Sequence, residues 1–307
     1  MTFVPLHEIR STLPQPSHDV SMASDERKGR LPSWFKVKIR QGPDYKDIRS
    51  TMDRLGLHTI CEEARCPNVW ECWNARTATF LILGDICTRR CHYCAVTTGR
   101  PLALDQGEPL RVAQAVQSLG LRHVVITSVN RDELEDGGAE IFVDTIRQIR
   151  HVISTCSIEV LIPDFQGLTK HLDRMVDVAP EVISHNMETV KRLTREVRIQ
   201  AKYERSLEVL RYLKEAGQNR TKTGLMLGLG ENRDEVFQTI EDIRNANVDV
   251  ITMGQYLQPT KKHLPVKKFI TPEEFDEFGD FARSLGFRHV ESSPLVRSSY
   301  HAEKHIH

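Results

Sequence analysis

The sequence predicts an α/β fold in which parallel strands alternate with helices. Three observations predict it. Short apolar runs alternate with amphipathic helical patterns from residue 79 onward. Gly120, Gly217 and Gly286 follow three of the helical patterns, as C-terminal glycines do. Polar or glycine-rich segments come just after the strands, as along the ligand rim of parallel sheets.

The elements follow in chain order. Residues 1–30 are polar and interrupted by Pro5, Pro14 and Pro16, and read as a flexible N-terminal arm. Order is expected to begin at residues 31–35, where Trp34 and Phe35 form an aromatic pair able to dock. Residues 44–56 read as a helix, and residues 31–78 as an N-terminal extension. Strands are expected at 79–83, 123–127, 158–162, 181–184, 223–227 and 250–253, with a last one at 287–290. Helices are expected at 110–119, 139–149, 168–178, 203–216, 234–245 and 272–285. The last opens on Thr271-Pro272-Glu273-Glu274, an N-cap followed by proline at the first helical position. Such repeats imply parallel strands joined by right-handed crossovers. A barrel and an open doubly wound sheet both fit, and six units are too few for the eight-fold barrel. Residues 79–290 form this unit, and residues 291–307 a C-terminal segment.

Composition narrows the function classes. The chain of 307 residues carries 42 Lys+Arg and 42 Asp+Glu, without the basic excess of a phosphate-gripping protein, so no nucleic-acid partner is expected. No apolar run approaches the roughly 20 residues of a membrane span. The first residues hold no secretory signal, and early acidic residues argue against a mitochondrial address. A cytoplasmic location is the default.

Six of the seven cysteines, Cys61, Cys66, Cys72, Cys87, Cys91 and Cys94, fall in one short stretch, which reads as metal binding rather than disulfides. Cys156 reads as a core residue. Cys87, Cys91 and Cys94 are spaced C-x3-C-x2-C on the predicted ligand rim. Three thiolates hold three corners of a cubane iron–sulfur cluster and leave one iron open to a small molecule. The plain alternative is zinc, but zinc prefers four ligands and often takes paired C-x2-C knuckles. Cys61, Cys66 and Cys72 form a second group, C-x4-C-x5-C, again of three. Two groups of three suggest two clusters. A single structural metal leaves unexplained why both groups stop at three.

The C-x3-C-x2-C group, with Tyr93 before its last cysteine, resembles the radical S-adenosylmethionine superfamily. CEEARCPNVWEC resembles the auxiliary-cluster motif of the lipoyl synthases. The likeness continues through GLHTICEEARCPN, ATFLILGDICTRRCHYC, RDELEDGGA, LIPDF, SHNMETV, LGLGE, QYLQP and PLVRSSYHA, from about Trp34 to Ala302. It implies a partial (βα)6 TIM-like barrel of the radical S-adenosylmethionine type, with N- and C-terminal extensions. It implies two 4Fe–4S clusters, with S-adenosylmethionine as co-substrate. The cluster on Cys87, Cys91 and Cys94 cleaves S-adenosylmethionine to a 5′-deoxyadenosyl radical. The auxiliary cluster on Cys61, Cys66 and Cys72 donates two sulfur atoms, to C6 and C8 of an octanoyl chain on a carrier lysine. Its fourth ligand is a serine of Arg297-Ser298-Ser299-Tyr300, with Ser299 favoured over Ser298. The expected partners are octanoylated lipoyl carrier domains of 2-oxo acid dehydrogenase E2 subunits and the glycine cleavage H protein. An electron donor such as ferredoxin or flavodoxin and a cluster-repair carrier are also expected, and the enzyme is expected to be a monomer. No His or Glu is expected as a catalyst beyond the clusters.

Other residues carry weaker signals. Thr127 and Asn186 stand at strand ends and either contact the cofactor or cap a helix. Gly137 and Gly138, after Asp136, either let backbone approach the cofactor or simply open the next helix. Asp164 reads as a turn or helix cap, and Arg89-Arg90 either steer an anionic partner or electron donor or, by default, are exposed charge. Gly228-Leu229-Gly230-Glu231 lacks dinucleotide-fingerprint spacing. His301, His305 and His307 read as a frayed tail rather than a metal site. Two further functions compete: a tRNA methylthiotransferase, for which an extra N-terminal domain and a basic module are missing, and a zinc-stabilised binding protein without catalysis.

Overall fold

The computed structural model describes residues 31–36, 42–74 and 77–306. The chain divides into two units, Met1–Pro32 and Ser33–His307. The arm expected over residues 1–30, and His307, lie outside the described residues.

In the second unit one eight-stranded sheet runs in sequence order: β1 (His58–Thr59), β2 (Thr79–Ile82), β3 (His123–Ser128), β4 (Ser157–Leu161), β5 (Val182–Ser184), β6 (Thr221–Leu227), β7 (Val250–Gln255) and β8 (His289–Ser292). Only the β1–β2 pair is antiparallel. The other seven strands are parallel neighbours. Doubly wound sheets reverse their strand order at a switch point. Here the order never reverses, so each crossover repeats the sense of the last and the sheet winds in one direction, as a barrel does. β1 and β8 remain the two edges, which leaves the barrel incomplete. The doubly wound alternative is therefore excluded.

The strands follow from their composition. β3 reads HVVITS and β7 reads VITMGQ, and both are buried along nearly their whole length, as strands covered on both faces are. The intervening helices, among them Ala139–Val152, Tyr203–Glu215 and Pro272–Ser284, begin and end within about three residues of the sequence expectation. Thr271 caps the last of these through a full capping box. The last strand starts two residues later than expected, because the Arg288 amide donates to Asp249 O and fixes the register at His289↔Val250.

Phe35 docks as expected, buried against Phe269, whereas Trp34 stays exposed. In the N-terminal extension, helix Pro43–Leu55 packs on helix Val69–Asn74, with Tyr45 stacked on Trp70 and against Trp73. The same buried cluster runs on through Cys61 into the sheet. Cys156 is buried, as expected of a core residue.

The C-terminal histidines require a correction. Residues Ala302–Ile306 form a 3-10 helix rather than a frayed tail, and His305 is 1% exposed. Arg220 holds this helix by donating to His305 O at 2.8 Å.

Candidate active site

The two groups of cysteines lie at separate places, one in a loop beside a cavity that Cys91 lines and the other in a cleft that all three of its cysteines line. Cys87 ends a short strand, Ile86–Cys87, that pairs with Thr97–Thr98 and so closes the C-x3-C-x2-C loop at its base. The loop is then stitched to distant segments. Cys91 bridges to Arg198, and the His92 amide donates to Val197 O at 2.9 Å. His263 Nε2 lies 3.0 Å from Cys94 O. The amides of Arg89 and Asn130 donate to Cys87 Sγ at 3.4 and 3.3 Å. Hydrogen bonds to cluster sulfurs of this kind tune an iron site.

Beside the loop lies a cavity of about 130 Å³ at the C-terminal ends of β3, β4 and β5. Cys91, Tyr93, Thr127, Asn186, Glu188 and Arg198 all line it. Thr127 donates to Leu161 O at 3.1 Å. Asn186 Nδ2 and Tyr93 OH both donate to Glu188 Oε1, at 3.0 and 3.2 Å. Asn186 Oδ1 is buried with no hydrogen-bond partner among the described residues. Burial raises the Glu188 carboxyl above its ordinary value, and Arg198 partly offsets this.

Gly137 and Gly138 are not in this lining. Both have positive φ, and Asp136 accepts from the amides of Gly138 and Glu140, so the segment opens helix Ala139–Val152. A Cβ on Gly138 would stand 2.3 Å from Leu83 Cδ1.

Arg89 is not exposed charge, as the sequence suggested, but 7% exposed. Its guanidinium is held by Asp132 at 2.6 Å and Asp164 at 2.6 Å. Asp164 caps the turn at Phe165–Gly167, as expected, and also binds Arg205. Two carboxylates converging from separate loops compensate the cost of burying the guanidinium. The pair locks the first residues after Cys87 to the rims of β3 and β4.

The second pocket is a narrow cleft lined by Cys61, Cys66, Cys72, Asn68, Arg297, Ser299 and Tyr300, among others. Thr59 caps the short helix that carries Cys61, and Cys72 lies in helix Val69–Asn74. Among the described residues, two side-chain hydrogen bonds tie the C-terminal segment to the chain between Cys66 and Cys72. Asn68 Nδ2 donates to Leu295 O at 2.7 Å, and Tyr300 OH donates to Glu71 Oε1 at 3.0 Å. Ser299 is thereby in the cleft lining, and Ser298 is not.

Burial pushes the Cys61 thiol up to about 12, with Cys66 adding to it. Cys66 and Cys72 are raised mainly by burial too. Cys94 rises to about 12 and Cys91 to about 11 for the same first reason. Crowded buried thiols of this kind deprotonate only against a cation. The donor sets therefore fit one cluster with an open iron and one with three thiolates and a nearby hydroxyl.

Sequence reasoning did not single out Asn68, Asp132, Glu188, Arg198 or Arg297. Of these, Asn68 and Arg297 stand inside the cysteine and serine motifs, and Asp132 and Glu188 inside RDELEDGGA and SHNMETV, which were the available signals.

Comparison with known proteins bears on the same regions. The profile of the radical SAM superfamily matches residues 81–243. That of the N-terminal domain of lipoyl synthase matches residues 7–66. The chain is 60% identical over 275 residues to a lipoyl synthase of Flavobacterium johnsoniae, covering 90% of this chain and 96% of the relative. It is 59% identical over 276 residues to a mitochondrial lipoyl synthase of Nematostella vectensis, covering 90% and 95%. Among solved structures it resembles the FeFe-hydrogenase maturase HydG from Carboxydothermus hydrogenoformans, with TM-score 0.56 and 15% identity over 85% of this chain and 77% of that one. This last likeness concerns the fold alone.

Proposed function

The chain belongs to the lipoyl synthase family of the radical S-adenosylmethionine superfamily, and from that premise we propose which of its residues do the work. The family uses two 4Fe–4S clusters and S-adenosylmethionine to make lipoyl groups. When bound, one cluster supplies the electron that cleaves S-adenosylmethionine and the other supplies sulfur.

Cys87, Cys91 and Cys94 hold the first cluster in this reading, and Cys61, Cys66, Cys72 and Ser299 hold the auxiliary one. The observation that supports the assignment is that Cys61, Cys66 and Cys72 share one cleft with Ser299, whereas the loop of Cys87 to Cys94 borders a separate cavity through Cys91. Asn186 Oδ1, buried and unpartnered, accepts a hydrogen bond from the bound co-substrate. Thr127 lines the same cavity. Tyr93 and Asn186 hold Glu188 in place, and Arg198 tempers the negative charge gathered at Cys91. Arg297 faces Cys66 and favours its thiolate form. A serine oxygen is a harder ligand than thiolate and releases iron more readily, which suits a cluster that gives up sulfide.

The substrates are octanoylated carrier domains, among them E2 subunits of 2-oxo acid dehydrogenases and the glycine cleavage H protein. Ferredoxin or flavodoxin supplies electrons, and a carrier protein rebuilds the auxiliary cluster. A cytoplasmic setting, where thiols stay reduced, fits the seven unpaired cysteines.

The test is anaerobic reconstitution with S-adenosylmethionine, a reductant and an octanoyl-lysyl peptide. The peptide should gain two sulfur atoms, and Cys61→Ala should still release 5′-deoxyadenosine while adding none. Loss of 5′-deoxyadenosine formation in Cys61→Ala would overturn the division of roles. An unchanged peptide with wild-type protein would overturn the substrate.

A further inference from the structure

His289 and Glu291 stand at alternate positions of the edge strand β8 and so project to one side. His289 Nε2 and Glu291 Oε1 are 3.1 Å apart. His305, from the C-terminal 3-10 helix, sets its ring at a tilt of 57° against that of His289, with centroids 4.5 Å apart. The three ligating atoms all lie within 4.8 Å of one another.

His305 sets this group apart from a chance surface cluster. It is 1% exposed, and among the described residues neither of its ring nitrogens has a hydrogen-bond partner. Buried polar atoms are nearly always partnered, and an orphaned one is costly. Burial first, then the Lys222 ammonium and the neighbouring His289 and His123, push its imidazole down to about 2. The ring is therefore neutral and carries a free lone pair, the form that binds metals. Lys222 is not an open competitor for Glu291, since both oxygens of Glu159 hold its ammonium at 2.8 and 2.9 Å.

We propose that His289, Glu291 and His305 form a third metal site, distinct from both thiol pockets, for a divalent cation of the zinc class. Two imidazoles and one carboxylate are a familiar three-ligand set for zinc, with water in the fourth position. His289 and Glu291 are half-buried and give the ion a path from solvent, while His305 closes the inner side. Bonds near 2.1 Å require each ligand atom to move inward by less than about 1 Å. The cation would join β8 to the 3-10 helix. The chain between those two points carries Arg297-Ser298-Ser299-Tyr300, so the ion would clamp both ends of the segment that lines the auxiliary cleft. None of this depends on which residues hold iron.

The test uses protein with its iron clusters already loaded, so that the cysteines are occupied. The protein is incubated anaerobically with Zn2+, desalted and assayed for zinc, and the zinc X-ray absorption edge is recorded. About one zinc per chain is expected, with nitrogen and oxygen neighbours near 2.0–2.1 Å and no sulfur near 2.3 Å. His289→Gln and Glu291→Gln alter half-exposed side chains and should keep their iron, yet bind zinc about tenfold or more weakly. Failure to retain zinc, a sulfur shell, or equal retention by both variants would overturn the site.

Discussion

Asn68→Ala removes one of the two side-chain hydrogen bonds that tie the cysteine loop to the segment carrying Ser299. Asn68 is 2% exposed, and its bond to Leu295 O is 2.7 Å long. Leu295 itself is only half-buried, so water can reach part of the carbonyl that loses its donor. The cost is therefore about 1–2 kcal/mol, between a net hydrogen bond and a fully stranded acceptor. That energy multiplies the undocked population of the segment by roughly 5–30. Hydrogen exchange reads this directly. The Val296 and Tyr300 amides, which donate to Ser293 O and Arg297 O, should exchange about 5- to 30-fold faster. Amides of β3 and β4 should not change. Sulfur insertion should fall, and iron content should drift from about eight per chain toward about four, while 5′-deoxyadenosine formation holds. Unchanged exchange over residues 293–300, or loss of 5′-deoxyadenosine formation along with sulfur insertion, would refute the link between Asn68 and the auxiliary cleft.

Other perturbations follow from the same geometry. In Gly254→Ala the new Cβ would lie 2.0 Å from Val296 O, a backbone atom, so the C-terminal segment must shift. A cost of about 1–3 kcal/mol in melting analysis and selective loss of sulfur insertion are expected. Lys222→Met strands the buried Glu159 carboxylate and should cost about 3–5 kcal/mol, whereas adding Glu159→Leu should restore most of it, a coupling that a double-mutant cycle measures. Burial holds His123 and His185 down to about 4, with Lys222 and Arg198 respectively adding to it. Both stay neutral in the fold while the unfolded chain protonates near 6.5. Stability should therefore fall as pH drops from about 6.5 to about 4, by up to about 1.4 kcal/mol per pH unit for each histidine, and His185→Gln should flatten that slope in melting curves.

Periodicity and punctuation carried most of the fold. Helix Pro272–Ser284 announces itself through Thr271 and Pro272, and helix Tyr203–Glu215 through Gly217. Barrel and doubly wound sheet remained open because strand order is a property of pairing, which local pattern does not encode. Cysteine spacing pointed to both groups, because three thiols close in sequence can share one short loop. Ser299 was legible only through resemblance, since a hydroxyl in a polar segment has no spacing of its own. Arg89 was misread because its partners, Asp132 and Asp164, come from other loops. His305 was misread because a short polar segment looks frayed until Arg220 and the sheet are in place to receive it.

The hydrogen bond between Asn68 and Leu295 spans 227 residues of sequence. Contacts of such separation form late, because the whole intervening chain must first be made and folded. The loop of Cys87 to Cys94 depends on partners no farther along than residue 264. During synthesis the partners of the Cys87 to Cys94 loop are thus made while the cleft of Cys61, Cys66 and Cys72 still lacks one wall. A growing chain therefore carries every partner of the first loop before it has made the wall that Leu295 to Tyr300 give to the second cleft.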